Sequence, residues 1–346
     1  MTCQLDAVTQ TDAQNIKGSM RIAGALSRAA RRFFRWDTLG VVASIGLMTA
    51  AGFALFHLLR DIGIAQIGAA LAAMPVSAVI VAGLFVAASY VTMTFYDFFA
   101  LRTIGHRHIP YRVAGLTGFM AYAIAHNVGA TMFTANLIRY RVYREWGLTL
   151  IDIAKVAFVT GLTFWLGNIV VLGACLAYAP EAAGAINELP PALVRTLALT
   201  ALAIIGLYLL WLLPRPRTFS RGEWTLTLPS ARLTLLQIGI GIADLGLAAI
   251  AMAILVLAQA QVDIVSVVVS HVVGVLLGFA SHAPGGIGVF DVTMLLALPQ
   301  VPKEKLLAAL LAFRCLYFLL PFCVAFLAFV VRELWISTAP DGVTPK

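Results

Sequence analysis

The stretch Ser281 to Leu295, SHAPGGIGVFDVTML, lies inside one of the most apolar parts of a 346-residue chain. A proline, three glycines, a histidine and an aspartate are poor material for a helix crossing a bilayer. Pro284 has no amide hydrogen, and Gly285, Gly286 and Gly288 permit backbone angles that other residues avoid. The reading is a helix that stops at His282–Ala283 and a second half-helix that starts near Ile287. The first amides of the second half have no intrahelical partner, so they form a positive, donor-rich end suited to a phosphate or carboxylate. Asp291, about one turn in, either stabilises that start or holds a cationic part of a headgroup. Irregular backbone at membrane depth survives only where protein or water covers it, so the break implies a cavity. The plainer alternative is that the glycines only let helices pack closely.

Composition makes this a membrane problem. The chain is 61% hydrophobic, 12% charged, and has a mean hydropathy of +0.93. Apolar windows of about 20 residues recur, each long enough to span hydrocarbon. Full spans are expected near 38–59, 76–100, 151–178, 193–213, 233–258 and 306–331. Two apolar regions remain, 111–144 and 264–298, each interrupted near its middle: AHNVGA with His126 before the first break, SHAPGG with His282 before the second. Their halves are short for a full crossing, so both are read as re-entrant hairpins. The fold class is therefore all-α and polytopic, with about six full spans and two re-entrant hairpins. The layout 76–178 against 233–331 is that of an inverted repeat, the usual setting of a transporter site.

Charge parity supports this topology. With the N-terminus inside and both hairpins re-entrant, 18 lysines and arginines fall on the inner side and four on the outer, Arg60, Arg195, Lys303 and Lys305. A single crossing by 111–144 would put every later loop on the other side. Residues 1–37 read as a polar tail and a basic amphipathic surface helix at 17–35, or an ordinary flanking anchor of the first span. Residues 38–335 form one transmembrane domain, and 336–346 a short cytoplasmic tail. The net charge of +8 clusters at span ends, which suits topology and anionic headgroups rather than nucleic acid. The four cysteines form no CxxC pair, and no metal site or cofactor is expected.

Ionisable groups inside apolar segments are functional candidates because inserting one costs about 2.5–3.5 kcal/mol. They are Asp97, Asp244 and Asp291, with Arg139 and Arg314. Each has a structural alternative: Asp97 as an anchor near Arg102, Arg139 snorkelling, Arg314 paired with Asp291 or Asp244. His57, His126, His271 and His282 are candidate proton sites, though lone histidines in packed helices are usually only hydrogen-bonded. His126 and His282 stand out because they adjoin the breaks.

Together with NVGATMFTANLIRYRVYREWGLT (127–149), TFYDFFALR (94–102) and LLAFRCLYFLLP (310–321), the opening stretch resembles the transmembrane region of the lysylphosphatidylglycerol synthase/flippase family, also called multiple peptide resistance factor. The resemblance covers roughly 40–335. Its best motifs are PGGxGxF with the following Arg314–Tyr317, and Ile138–Leu148. It implies a multi-pass protein of the bacterial inner membrane, with both termini cytoplasmic, that moves lipid such as aminoacylated phosphatidylglycerol between leaflets. The positions it implicates are Asp97, Arg139 and Asp291. Asp291 stands where the family usually has glutamate. Only 14 residues follow Arg332, so an aminoacyl-transferase domain is not expected and the chain is not read as the synthase or as an enzyme.

Four functions stay open at this point: a lipid flippase, a secondary transporter of a small polar solute, a non-transporting scaffold for a lipid-modifying enzyme, and an intramembrane lipid enzyme, for which neither HExxH nor GxSxG is present. A partner lipid-modifying enzyme and a homo-oligomer fit the first. If the break lines a cavity, Gly286→Leu damages activity more than Gly246→Leu in a continuous helix. Equal damage in a transport assay means the glycines serve packing alone.

Overall fold

The computed structural model describes residues 63–184, 189–213, 218–221 and 224–338. The first expected span, the basic helix at 17–35, His57 and the C-terminal tail from 339 lie outside them. The described chain is an assembly of helices. A short α1 (Ile64–Ala72) leads to α2 (Val76–Thr103), α3 (Tyr111–Val128), α4 (Thr131–Tyr143), α5 (Leu150–Tyr178) and α6 (Pro191–Leu212). The rest are α7 (Ala231–Leu257), α8 (Ile264–Ser281), α9 (Val289–Ala297), α10 (Lys303–Phe313) and α11 (Leu320–Thr338). A π-helical turn, Arg314–Leu319, joins the last two.

Local chemistry sets these boundaries. Pro75, Pro110, Pro190 and Pro302 each stand at the N-cap of a helix, where a missing amide hydrogen does no harm. Thr149 and Asp152 cap each other's backbone at the start of α5. Asp263 accepts from the Ser266 amide at 2.8 Å at the start of α8.

Six described helices are long and apolar enough to cross a membrane, the segment 303–335 counting as one. Large apolar side chains cover their outer faces; Ile204, Leu207 and Leu210 of α6 are each at least 60% exposed. A contiguous surface of that kind needs lipid around it. One of the six, α8, was expected to be too short. Its 18 residues reach about 27 Å, so length alone does not separate a half-helix from a span. The break and the packing do.

Both interrupted regions double back. α4 packs on α3, and α9 packs on α8. For the first hairpin the two ends are tied at one face. His108, before α3, lies 3.3 Å from the carbonyl of Trp146, after α4, and His106 lies 3.6 Å from Asp152 at the start of α5. At the opposite end of the bundle Gln259, after α7, donates to the Ala70 carbonyl at 2.9 Å, and α1 packs on α10. The second hairpin starts and finishes there. Helix orders α2–α5 and α7–α11 thus repeat as long helix, broken hairpin, long helix, with α10 and α11 counted as one.

α7 is central, packing on α2, α5, α8 and α10. It crosses α5 at Gly167 and Gly241, where a methyl group on Gly167 would come within 2.6 Å of the Gly241 backbone. The two breaks meet inside the bundle. Gly129 (φ +82°) brings its backbone so close to the other hairpin that an added Cβ would lie 3.1 Å from the Pro284 nitrogen.

Three details depart from the sequence reading. The second half-helix begins at Val289, two residues later than expected, because Gly288 (φ +83°) is its N-cap. The helix before it ends at Ser281. A hairpin of two strands, Thr218–Arg221 and Trp224–Thr227, sits in the α6–α7 connection, the one β element among the described residues.

Candidate functional site

A cavity of about 310 Å³ lies where the two breaks converge. Helical spacing supplies its walls: Gly241, Asp244, Leu245 and Ala248 from α7, Ala157, Thr160, Gly161, Phe164 and Asn168 from α5, and His271, Gly274, Val275 and Gly278 from α8. Tyr96, Tyr122, His126, Asn136 and Arg139 enter from α2, α3 and α4. Gly285, Gly286, Phe290, Phe313 and Tyr317 complete it from the second hairpin and the following helix.

The five membrane charges fall into three arrangements. The first joins Arg139 to Asp97. Arg139 Nη2 donates to Oδ1 at 2.7 Å and Nε to Oδ2 at 2.9 Å, and Tyr143 adds its hydroxyl at 2.8 Å. Nη1 donates to Asn136 Oδ1 at 3.1 Å, and the guanidinium lies over the Tyr122 ring at 5.1 Å. Asp97 is fully buried behind the wall, whereas Arg139 lines the cavity. Arg139 therefore does not snorkel.

The second arrangement locks the break. Arg314 donates to Asp291 at 2.7 and 3.2 Å and to the Gly285 carbonyl at 3.1 Å. Asp291 Oδ2 also accepts the Gly288 amide at 2.9 Å. The donor-rich start of α9 thus already has an anion, the chain's own carboxylate one turn in. Asp291, Arg314 and Gly288 are not among the cavity-lining residues; Gly285 and Gly286 are. The π-helical turn that carries Arg314 frees backbone carbonyls for other helices. Tyr90 donates to Tyr317 O at 2.9 Å and Asn127 to Phe318 O at 3.0 Å.

Asp244 is the third. It faces the cavity at 7% exposure and accepts from Ser89 Oγ at 2.6 Å and Tyr96 Oη at 3.1 Å. No ion pair reaches it among the described residues. The two highlighted histidines part company: His126 stands in the wall, stacked on Tyr317 with ring centroids 6.2 Å apart, while His282 is exposed in a left-handed conformation outside it. His271, the third candidate proton site among the described residues, is buried in the wall edge-on to Phe290 and Phe313. Asn168 was missed, although it interrupts the apolar run FWLGNIVV, which was a usable signal. Tyr122 and Tyr317 gave none, since aromatic residues in such helices are ordinary.

Sequence comparison places the chain among known proteins. It is 32% identical over 248 residues to the uncharacterized protein slr0712 of Synechocystis, a match covering 71% of this chain and 76% of that one. The chain belongs to the slr0712 family. The inner membrane protein YbhN of Escherichia coli is 29% identical over 261 residues, 72% of this chain and 78% of YbhN. A segment of 56 residues, 16% of this chain, is 43% identical to phosphatidylglycerol lysyltransferase of Staphylococcus haemolyticus, where it covers 7% of the length. No protein-family profile matches. This slr0712-family member is a multi-pass integral membrane protein by its apolar helices and its inner-membrane relative.

In this slr0712-family protein the Asp97–Arg139 pair yields a direct prediction. Asp97→Asn leaves a buried guanidinium without its counter-ion and lowers stability by about 3–5 kcal/mol. Asp97→Asn with Arg139→Gln recovers much of that loss in a thermal-unfolding cycle in detergent. Additive losses mean that the two side chains do not depend on each other.

Proposed function

We propose that the protein is a lipid translocase, moving phospholipid between the leaflets of a bacterial inner membrane. Candidate headgroups are aminoacylated phosphatidylglycerol and related lipids. The observation that carries this reading is the rim of the cavity. Met132, Trp165 and Phe279 line the cavity and are also 62%, 47% and 39% exposed. Met132 adjoins the first break, Phe279 the second, and Trp165 lies halfway along α5. The mouth therefore opens sideways at mid-depth, through an apolar rim onto an interior that holds Asp244, Arg139 and Asn168. That geometry suits an amphiphile whose headgroup enters while its tails stay in hydrocarbon.

The two hairpins fit re-entrant segments dipping in from opposite faces, their tips packed together. Broken helices meeting at mid-depth in an inverted repeat are where transporters bind substrate. The end that carries Arg102, Arg107, Arg112, Arg141, Arg144 and Arg332 is taken as cytoplasmic, which also puts both termini there. The short match to a phosphatidylglycerol lysyltransferase supports a lipid substrate. In this reading the chain carries lipid rather than transforming it, and a separate lipid-modifying enzyme is its natural partner. A transporter of a small soluble solute is less well suited, because its cavity needs closure against lipid on the sides.

The test is reconstitution. Vesicles containing the purified protein move tail-labelled phospholipid to the far leaflet, and Asp244→Asn or Arg139→Ala abolishes that movement while the protein still inserts. Normal movement with both changes overturns the assignment of the cavity. A chain that serves only as a scaffold moves no lipid in either form.

A further inference from the structure

The three buried aspartates differ in the kind of donor around them. Asp97 accepts from Arg139 nitrogens and the Tyr143 hydroxyl, and Asp291 from Arg314 and the Gly288 amide. A guanidinium or a backbone amide only donates, so a proton added to either carboxylate meets another hydrogen and breaks the ion pair. Among the described residues Asp244 accepts only from hydroxyls, Ser89 Oγ at 2.6 Å and Tyr96 Oη at 3.1 Å. A hydroxyl donates to a carboxylate, and it accepts from a carboxylic acid by turning about one bond. The same two neighbours therefore serve Asp244 with and without a proton.

Its place suits a proton that crosses. Asp244 is the middle residue of the 27 in α7, so about 20 Å of helix lies on either side. Its side chain borders the cavity and is reached from there. The other titratable and charged groups nearby are differently placed. Tyr90 of α2 gives its hydroxyl hydrogen to the Tyr317 carbonyl. Tyr122 and His126 of α3, His271 of α8 and Tyr317 of the π-helical turn line the cavity, as does Arg139 of α4, which Asp97 neutralises. Helices α5 and α10 contribute Thr160, Asn168 and Phe313, which do not titrate, and no residue of α6 lines the cavity. A proton on His126 or His271 creates a buried cation, whereas a proton on Asp244 removes a buried anion.

We propose that Asp244 is the proton site of this cavity and that protons passing through it drive the cargo. With the cavity open toward the more acidic face, an O–H bond forms on Asp244 with a proton from water, and the Ser89 or Tyr96 hydroxyl turns to accept it. With the cavity open toward the other face, that bond breaks, the proton returns to water and the hydroxyl donates again. Each cycle moves one proton and leaves the protein unchanged. That the cargo is a lipid rests on the translocase reading; the proton site does not.

The experiment uses the purified full-length protein and has two readouts. Difference infrared spectroscopy in an ester-free detergent, between about pH 5 and pH 9, shows the C=O band of a protonated carboxyl changing, and Asp244→Asn removes one component of it. In vesicles with tail-labelled phosphatidylglycerol and phosphatidylethanolamine, a gradient of about one pH unit builds a leaflet ratio of up to about tenfold, and a protonophore collapses it. A band unchanged by Asp244→Asn overturns the proposal, and so does lipid movement that ignores the pH gradient or follows a sodium gradient instead. If no lipid moves but the Asp244 component titrates, the proton site stands and the translocase reading falls. Should Asp244→Asn fail to purify, Ser89→Ala reads the same site. Loss of one of the two hydroxyls displaces the pH midpoint of the band component by about one unit, and an unchanged midpoint counts against the site.

Discussion

A broken helix inside a membrane has to satisfy its backbone without water, and that constraint organises the structure. Two breaks are placed back to back, so that each covers the other. Gly129, at φ +82°, meets Pro284 so closely that an added Cβ would lie 3.1 Å from its nitrogen, and the carbonyls and amides set loose at the break are claimed by side chains. Arg314 takes the Gly285 carbonyl, Asp291 takes the Gly288 amide, and Asn127 takes Phe318 from the adjoining π-helical turn. The tips therefore form one unit, and the space beside them is the cavity.

The same economy governs the charges. An arginine and an aspartate buried together are tolerable when the geometry is close and the spare donors are used. Both pairs meet this condition, one within each half of the repeat, but with different work to do. Asp97 anchors Arg139 in the cavity wall, while Asp291 and Arg314 hold a turn in shape. Asp244 has no such partner among the described residues and meets only the hydroxyls of Ser89 and Tyr96. In sequence all three aspartates stood as functional candidates inside apolar segments.

The rim adds the remaining piece. Asp244, Arg139 and Asn168 line the cavity, and three exposed apolar side chains, Met132, Trp165 and Phe279, stand at its edge. A soluble solute approaches from an end; a lipid approaches from the side. Membership of the slr0712 family and likeness to YbhN place the chain in a membrane, while the cavity's chemistry and its sideways mouth motivate a particular kind of cargo.

Much of the fold was legible from residue order. Apolar runs mark the spans because hydrocarbon penalises anything else, and prolines and glycines mark the breaks because they alter the backbone wherever they occur. The hairpins were read from the short interrupted halves, and charge parity, which needs no contacts, agreed with that reading. Pairing was not legible. Arg139 lies 42 residues from Asp97, and Ser89 lies 155 from Asp244. Nothing in a linear order says which buried acid meets a base and which meets only hydroxyls, since that depends on helix rotation and on how deeply each hairpin sits. Sequence set where the membrane is and where the backbone gives way. Packing alone decided which charge was left over, because hydrogen bonds and ion pairs act over a few ångströms in space and take no account of distance along the chain.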